Sequence, residues 1–570
     1  MKRAMDFDGM RVAALGLGIV LTWLVTGYAG TRPQETAPAG KEAVSPGPIV
    51  VTLDSGQDVH PISPLIYGMA SANPATLRDL RLGSNRWGGN PSSRYNWEKG
   101  NCWNAARDWE FRNGNYGNTA PGDRLPSGVA DRFVAETRAA GAAACITIPA
   151  LGYVAKDDNN NTRSIHVPKT GGPPISPGSE AIPGYDPAEN QVRTSVPSYP
   201  RKRAAFQYPP DLTDNAVYQD EWVAHLVRKF GTAKKGGVRF YTIDNEPDLW
   251  HSTHTDVHPV SMNYEGMLSC FLEYATAIKA VDPTAEVTGP ASWGWNGYFY
   301  SPRDGDMFHL RPDRKAHGDM PFIPWFLDQV RQHDRRVGKR TLDVLDIHYY
   351  PQAPGVYAGK TDPDTEARRL RSTRSLWDPT YADESWIKES VRLIPRMKAW
   401  IDRYYPGTKL GLTEWNWGAA RTMNGGVAVA ECLGILGREG VYLANYWATT
   451  PTRSPAYFAF KMYRDADGKG NGFGDISIRA VSSAPGRVSC FGSLDSRTGM
   501  PVAMLINKQP DGEASVTIRL RHNRPVSRAM LRQYGSTHPG AIIELPTRKV
   551  DKSALQVSVP GYSITLIRFE

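Results

Sequence analysis

Short apolar segments alternate with amphipathic stretches along most of the chain. Eight segments have the length and apolar character of buried strands, at 65–70, 84–90, 144–150, 239–246, 286–295, 344–350, 409–416 and 442–450. The stretches between them carry apolar residues at helical spacing, as at 129–141, 217–231, 264–281 and 385–404. This alternation predicts an α/β fold, a (β/α)8 barrel over 65–460. A doubly wound open sheet is the alternative, but no glycine-rich dinucleotide turn follows the first segment.

The pattern changes after residue 460. Short segments separated by turn residues predict six strands, at 474–483, 488–495, 501–508, 515–521, 528–535 and 554–570. They predict an antiparallel β-sandwich domain at 461–570. The segment 48–64 begins with the strand-like PIVVTLD. We expect it to join the sandwich, which makes that domain discontinuous.

The first 47 residues predict export. Basic residues at positions 2 and 3 precede an apolar run at 12–29, and residues 27–29 (GYA) fit a signal-peptidase site. We predict a signal peptide or signal anchor at 1–30, followed by a Pro-rich linker at 31–47. The protein is then secreted, or attached to the cell envelope by an uncleaved segment in the membrane.

Composition narrows the function classes. The formal net charge of +9 is mild for 570 residues, and the basic side chains are scattered, so we expect no nucleic-acid partner. The five cysteines are odd in number, widely spaced and free of CxxC patterns, which argues against a zinc site or a disulfide framework. Sixteen tryptophans is a high count, and many lie in loop-like segments beside Gly and Asn. Flat aromatic side chains in such loops suit a sugar-binding cleft.

Two carboxylates close the fourth and seventh predicted barrel strands. In FYTIDNEPDLW (240–250), Pro247 cannot continue the strand, so Glu246 lies at its C-terminal end. Glu414 ends a second apolar strand in KLGLTEWNWG (409–418). Barrel enzymes carry their active sites at this face, where these two strand ends oppose each other. Carboxyls about 5 Å apart suit a retaining glycosidase, and their mutual repulsion separates their pKa values so that one is protonated while the other is ionised.

Four motifs resemble glycoside hydrolase family 44, which contains endo-β-1,4-glucanases and xyloglucanases. They are DNEPDLWHSTH (244–254) continuing to His258-Pro259, RWGGN (86–90) followed by RYNWE (94–98) and DW (108–109), DIHYYP (346–351), and TEWN (413–416). The resemblance runs from about residue 48 to the C-terminus. It implies a retaining mechanism with Glu246 as acid/base and Glu414 as nucleophile, and a β-sandwich attached to the barrel.

Further residues are candidate substrate or positioning contacts. Asn245 is a candidate donor to the sugar 2-hydroxyl, and Arg86 is a candidate partner that keeps Glu414 ionised. His348 and Tyr350 share one face of the sixth strand, from which one of them could bond Glu414. The remaining candidates for substrate contact are Asn90, Trp293, Trp295, Trp415, Trp417 and Trp447. A structural cap for Asn245, a plain buried ion pair for Arg86 and core packing for each tryptophan are the alternatives.

The leading hypothesis is a monomeric, retaining, endo-acting hydrolase of β-1,4-glucan backbones, either cellulose-type glucan or xyloglucan. Another retaining β-glycanase (a xylanase or mannanase) and a non-catalytic carbohydrate-binding surface protein are the alternatives. We expect no required cofactor and no catalytic metal at His251, His254 and His258, although a structural calcium ion is compatible with the chain. Two long connections, 151–215 and 351–384, follow strand C-termini and should lie at the active-site face.

Overall fold

The computed structural model describes residues 48–109, 111–117, 120–160, 194–305 and 310–570, and the backbone of four short strands between 166 and 192. The signal segment and linker predicted at 1–47 lie outside these residues, as does most of the connection at 161–193. Among the helices that the structure describes, none is both long enough and apolar enough to cross a membrane.

Eight parallel strands close into a barrel in chain order, which confirms the predicted fold class. They are Gly68–Ala70, Ser84–Trp87, Ala143–Ile148, Phe240–Ile243, Glu286–Ser292, Val344–Tyr349, Lys409–Trp415 and Leu443–Tyr446. The eighth strand pairs with the first and closes the barrel. Helices cover the outer face of the strands and side chains fill the interior, so the strands are buried on both faces along almost their whole length.

Helices follow the eight strands and pack around the barrel. The main ones, in the same order, are Pro74–Asp79, Gly128–Ala139, Gln219–Phe230, Tyr264–Val281, Phe322–Val337, Leu393–Tyr404, Met423–Arg438 and Pro455–Arg464, with Pro363–Ser372 as an additional helix before the sixth of them. Side-chain hydrogen bonds cap the N-termini of several of these helices. The Asn263 side chain accepts from the Gly266 amide at 2.9 Å, and Ser454 accepts from the Tyr457 amide at 3.2 Å.

The C-terminal strands form one long sheet that folds over itself as a sandwich. Its order is His538–Lys549, Arg528–Gly535, Ser563–Phe569, Met500–Asn507, Val488–Asp495, Ile476–Ser482, Ile49–Asp54, Ala514–Arg521 and Ala554–Val559. The two halves share a buried apolar cluster that includes Val51, Ile518, Leu505 and Ile567. The sheet is antiparallel except where Ile49–Asp54 runs parallel to Ala514–Arg521, because this strand enters from the far end of the sequence and not through a hairpin.

Two details of the sandwich differ from the sequence prediction. The strand His538–Lys549 was not predicted, since it is an exposed edge strand whose HPGAIIELPTRK lacks alternation and contains two prolines. The segment predicted as one strand at 554–570 is two strands, Ala554–Val559 and Ser563–Phe569, with a break around Gly561.

The sandwich packs directly on the helix Met423–Arg438. Gly434 lets the helix approach the Phe491 ring, because a Cβ atom at this position would lie 2.3 Å from the ring. Nearby, the buried Glu431 accepts hydrogen bonds from the Ser489 hydroxyl and, at 3.1 Å, from the Lys508 ammonium group. The helix that follows the seventh barrel strand therefore joins the barrel to the sandwich, because its buried residues lie in one apolar cluster with Phe491 and Ile564.

Candidate active site

Glu246 lies just beyond the fourth strand on a backbone that turns sharply. Asp244 and Glu246 both have left-handed φ values, of 57° and 46°, a conformation that costs about 1–3 kcal/mol per residue and persists only when neighbours enforce it. The Asp244 carboxylate accepts hydrogen bonds from the amides of Ala150 at 2.5 Å and Asn245 at 2.7 Å. Pro247 then begins a short 3-10 helix. The strained turn aims Glu246 across the mouth of the barrel.

Glu414 reaches the same point through a β-bulge in the seventh strand. Ile347 pairs with Leu412 while the next residue, His348, pairs with Glu414, so Thr413 is the extra residue. A bulge re-aims the side chains beside it. Both Thr413 and Glu414 consequently contact inward-facing groups, whereas a regular strand would send them to opposite faces.

His348 lies between the two glutamates. Its Nδ1 atom is 2.9 Å from Glu246 Oε1 and 3.5 Å from Glu414 Oε2. A carboxylate oxygen of Glu246 and one of Glu414 lie within 4.8 Å of each other. An oxygen–oxygen approach this close is compatible with the ~5–5.5 Å between the carboxyl groups of retaining glycosidases, and inverting enzymes hold theirs ~6.5–9.5 Å apart to admit a water molecule.

The second strand supplies a guanidinium that links both halves of the site. Arg86 is fully buried, and its Nη1 atom donates to Glu414 Oε1 at 2.6 Å. Its Nη2 atom donates to Asn245 Oδ1 at 2.9 Å. The Asn245 amide nitrogen donates in turn to Asn90 Oδ1 at 3.3 Å. The geometry brings Arg86, Asn90 and Asn245 together with the glutamates, in a network that fixes the orientation of each side chain.

The sixth strand presents Asp346, His348 and Tyr350 on one face. The Tyr350 hydroxyl donates to Glu414 Oε2 at 2.8 Å, and Tyr349, on the opposite face, packs against Trp417. Deeper in the barrel, the Thr413 hydroxyl is 2.7 Å from Asp346 Oδ1 and 3.3 Å from His348 Nε2. Sequence reasoning missed Asp346, which the period of two from His348 would have revealed.

The surroundings of the two glutamates shift their pKa values in opposite directions. Burial raises the pKa of Glu246, and the negative charge of Glu414 raises it further. Burial also opposes ionisation of Glu414, but His348 and Arg86 together with the hydrogen bonds from Tyr350 and Arg86 lower its pKa overall. The surroundings thus make Glu246 the harder of the two carboxyl groups to ionise and Glu414 the easier one.

Comparisons with known proteins show the family of this chain. The family model described as glycoside hydrolase family 44 matches residues 102–353. The crystal structure of a Paenibacillus polymyxa xyloglucanase from this family is 31% identical, with a TM-score of 0.80 over 91% of this chain and 99% of that one. The chain belongs to glycoside hydrolase family 44.

Two further relatives extend the family 44 comparison. CelM2, a bifunctional glucanase-xylanase protein from a metagenome library, is 36% identical, with a TM-score of 0.78 over 92% of this chain and 99% of that one. Endoglucanase A of Paenibacillus lautus is 34% identical over 492 residues, which are 83% of this chain. The match spans 65% of the length of that endoglucanase.

Three tryptophans that were candidates for substrate contact in this family 44 chain are packing residues. Trp415 is 1% exposed and lies against Tyr446 and Phe460 on the outer face of the barrel, because it follows Glu414 and points the other way. Trp417 is fully buried against Tyr349. Trp295 is 7% exposed and packs against Phe299 and beneath the Arg396 guanidinium. The substrate-contact predictions for these three residues are wrong.

Trp447 remains at the site. It is partly exposed at the end of the eighth strand, and the Arg86 guanidinium lies 5.9 Å from the centre of its ring. Gly89, with a φ of 87°, approaches the ring so closely that a Cβ atom would lie 2.5 Å from it. Trp293 is also partly exposed. Its backbone amide donates to Asp248 at 3.2 Å, and its contact with substrate stays a prediction.

Exposed aromatic side chains that were not candidates for substrate contact lie on the loops around the glutamates. Tyr357 is 42% exposed and lies edge-on against Tyr350. Trp386 is 51% exposed, and its indole donates to Gln352, which in turn donates to the Tyr350 carbonyl. Trp109 is 50% exposed beside Asp108, which accepts from Asn90. Apart from the DW motif at 108–109, no sequence signal separated these residues from other loop aromatics.

Within the described part of the chain, two groups of side chains could converge on a metal ion. One consists of Glu246, His348 and Glu414, and the other of Glu265, Asp313 and His317. Neither offers the roughly six to eight oxygen ligands that calcium takes. His251, His254 and His258 do not form such a group among these residues. The expectations for metals therefore stay predictions.

Proposed function

We propose that this protein is a retaining, endo-acting glycoside hydrolase that cleaves β-1,4-glucan backbones by double displacement. In the first step Glu414 attacks the anomeric carbon, the glycosidic C–O bond breaks, and the Glu246 carboxyl gives its proton to the departing oxygen. In the second step the Glu246 carboxylate takes a proton from water, which attacks the same carbon and releases Glu414.

One observation carries this proposal. The two carboxylates approach within 4.8 Å, contact the same histidine and experience opposite pKa shifts. Two carboxyl groups held apart in pKa by their environments form an acid and a nucleophile in one site. Asn245 is linked to Glu414 because Arg86 donates to the side-chain oxygen of Asn245 and to the carboxylate of Glu414. We expect the Asn245 amide group to contact a sugar hydroxyl.

Polymeric substrate and endo action are supported by the loop aromatics and by the relatives. Trp109 lies on the loop that follows the second strand, and Tyr357 and Trp386 lie on the connection that follows the sixth. Flat exposed rings on loops of different strands suit several sugar units of one chain. The relatives are named as a xyloglucanase, a glucanase-xylanase and an endoglucanase.

Purified protein assayed on xyloglucan, carboxymethyl-cellulose, xylan and mannan tests the substrate class. We expect the highest kcat/KM on a β-1,4-glucan backbone, with a rapid fall in viscosity that marks internal cleavage. A preference for xylan or mannan would replace the glucanase proposal by another retaining β-glycanase. Binding without turnover on every glycan would favour the carbohydrate-binding alternative.

Proton NMR of the first product tests the stereochemistry. Double displacement predicts that the new reducing end appears first as the β-anomer and mutarotates later. An α-anomer as the first product would show inversion and would contradict the role proposed for Glu414.

We also propose that the protein acts outside the cytoplasm, on the basis of the basic and apolar N-terminal segment. Fractionation of expressing cells, followed by N-terminal sequencing of the extracellular protein, tests this. A mature N-terminus near residue 30 would support cleavage. Full-length protein in the membrane fraction would support anchoring, and soluble full-length protein in the cytoplasm would contradict both.

A further inference from the structure

A chain of buried polar groups runs from the two glutamates into the barrel. His348 contacts Glu246 and Glu414 through Nδ1, and its Nε2 atom is 3.3 Å from the Thr413 hydroxyl. Thr413 is hydrogen-bonded to both oxygens of Asp346, at 2.7 and 2.9 Å. His348, Thr413 and Asp346 have no solvent exposure. The reaction proposed above involves only Glu246 and Glu414, at the outer end of this series of hydrogen-bonded groups.

The hydrogen-bond geometry favours one protonation state of His348. Burial raises the pKa of Asp346, while His348, Arg86 and the hydroxyl groups of Thr413 and Thr288 stabilise its carboxylate form. An ionised Asp346 accepts the single proton of the Thr413 hydroxyl. The Thr413 oxygen therefore turns a lone pair toward Nε2, which is favourable only if Nε2 carries a hydrogen. Nδ1 faces two carboxyl groups and also donates. With both ring nitrogens as donors, the ring is an imidazolium.

The surroundings of His348 agree with a positive charge. Burial alone would lower the pKa of this ring, but the charges of Glu414 and Glu246 raise it overall. The positive charge of Arg86 opposes them. The titratable and polar groups around the His348 ring are Glu246, Arg86, Asp346, Thr413, Glu414 and Tyr350. The Cys145 thiol lies near Arg86 and Asp346. The Tyr298 hydroxyl donates to the backbone carbonyl of His348.

The charges balance in both halves of the proposed reaction. Before attack, the cations Arg86 and His348 balance the anions Asp346 and Glu414, while Glu246 is neutral. After attack, Glu414 is a neutral ester and Glu246 has become the anion, so the sum is unchanged. Because the negative charge moves from Glu414 to Glu246, a cation within reach of both oxygens stabilises each state. A neutral His348 would leave one uncompensated buried negative charge in both.

We propose that Asp346 and Thr413 are positioning residues that hold His348 as an imidazolium, and that this imidazolium is the shared counter-ion of Glu414 before attack and of Glu246 afterwards. The proposal rests on the double displacement proposed above. The Nδ1 contact to Glu246 Oε1 leaves Oε2 to carry the proton toward the leaving oxygen. Arg86, whose side chain bonds Glu414 and not Glu246, cannot serve both states in this way.

Nitrogen NMR of the full-length protein labelled with 15N-histidine tests the protonation directly and needs no substrate. The His348 signals are assigned by comparison with His348→Asn. We expect both ring nitrogens of wild-type His348 to be protonated near neutral pH. A single protonated nitrogen in the wild-type ring would overturn the proposal, whatever the activity of the protein.

Thr413→Val and Thr413→Ser form the matched pair of variants. Valine keeps the shape of the side chain but removes the oxygen that accepts from Nε2, whereas serine keeps that oxygen. In Thr413→Val we expect a singly protonated His348, and the acid limb of the kcat/KM profile should move up by about one pH unit, because Glu414 has lost a nearby cation. Thr413→Ser should retain the wild-type NMR state and acid limb.

The two variants also distinguish a failure of this proposal from a failure of the proposed function. If Thr413→Val loses activity but keeps the wild-type acid limb and a doubly protonated His348, Thr413 is only structural and the proposal is overturned. If the protein hydrolyses no glycan while His348 is doubly protonated in wild type and singly protonated in Thr413→Val, the charge arrangement stands and the proposed function fails.

Discussion

Individual side chains give two chemically identical carboxyl groups different tendencies to ionise. Glu414 is contacted by Arg86 and Tyr350, and both contacts favour its ionised form. Among the described residues Glu246 has no guanidinium partner, and His348 donates to it. The asymmetry arises from neighbours on the second and sixth strands. The sequence offered Arg86, His348 and Tyr350 as candidate partners of Glu414, but it did not show that His348 also contacts Glu246.

The opposite pKa shifts predict a bell-shaped pH profile of kcat/KM. Below the acid limb Glu414 becomes protonated and cannot attack, so this limb should lie below the ordinary glutamate pKa of 4.5. Above the alkaline limb Glu246 loses the proton it must donate, so this limb should lie above 4.5. Rates on soluble glucan across the pH range measure both limbs.

Glu246→Gln supplies the control for that profile. With an aryl glycoside whose leaving group needs no protonation, formation of the ester in this variant should keep the acid limb and lose the alkaline limb. An alkaline limb that is unchanged in Glu246→Gln would assign it to another group and contradict the role of Glu246.

Prediction from sequence succeeded for residues that obey the strand period and failed for one that does not. His348 and Tyr350 follow the alternation of the sixth strand, and both contact the glutamates. Thr413 precedes Glu414 and by simple alternation should face outward. The bulge turns it inward, and such a bulge depends on the pairing of two strands that lie far apart in sequence.

Strands and helices decide which aromatic side chains can reach a sugar. Trp415, on the outer face of the seventh strand, lies between the strand and the Phe460 side chain of the last barrel helix. Trp447, at the end of the eighth strand, remains partly exposed above Arg86. The sequence placed both beside strand ends but could not show which side of the barrel wall each would occupy.

Alanine at these two tryptophans should separate stability from substrate binding. Trp415→Ala should lower the free energy of unfolding by about 3–5 kcal/mol and leave KM nearly unchanged. Trp447→Ala should lower kcat/KM by about tenfold or more with a smaller loss of stability. Urea unfolding and steady-state kinetics measure the two effects. A large KM increase in Trp415→Ala without destabilisation would show that Trp415 contacts the substrate.

The chain as a whole joins barrel and sandwich into one folded unit. The strand Ile49–Asp54 lies inside the sandwich sheet, between Ile476–Ser482 and Ala514–Arg521, before the chain enters the barrel. The helix Met423–Arg438 belongs to the barrel core and packs against the sandwich strands Val488–Asp495, Met500–Asn507 and Ser563–Phe569. The apolar pattern was enough to predict two domains, but the closeness of their contact depends on small residues such as Gly434, whose role appears only in three dimensions.

Substitutions at two glycines of the helix Met423–Arg438 test its packing against the sandwich. Gly434→Ala should destabilise the protein by about 1–3 kcal/mol, because the new methyl group would overlap the Phe491 ring. Gly437→Ala is the control, since its Cβ would meet Ile62 at an ordinary 3.4 Å and alanine favours helix by about 1 kcal/mol. Thermal and urea unfolding measure both. Equal stability of the two variants would contradict the tight packing at Gly434.

Trapping the glycosyl-enzyme tests the central claim most directly. A cellobioside with fluorine at C2 and an activated leaving group slows both steps but allows the first to proceed, so the covalent ester should accumulate. Peptide mass spectrometry should then locate the label on Glu414, and the Glu414→Gln protein should remain unlabelled. Label on Glu246, or continued turnover of glucan by a protein that never forms an ester, would contradict the account.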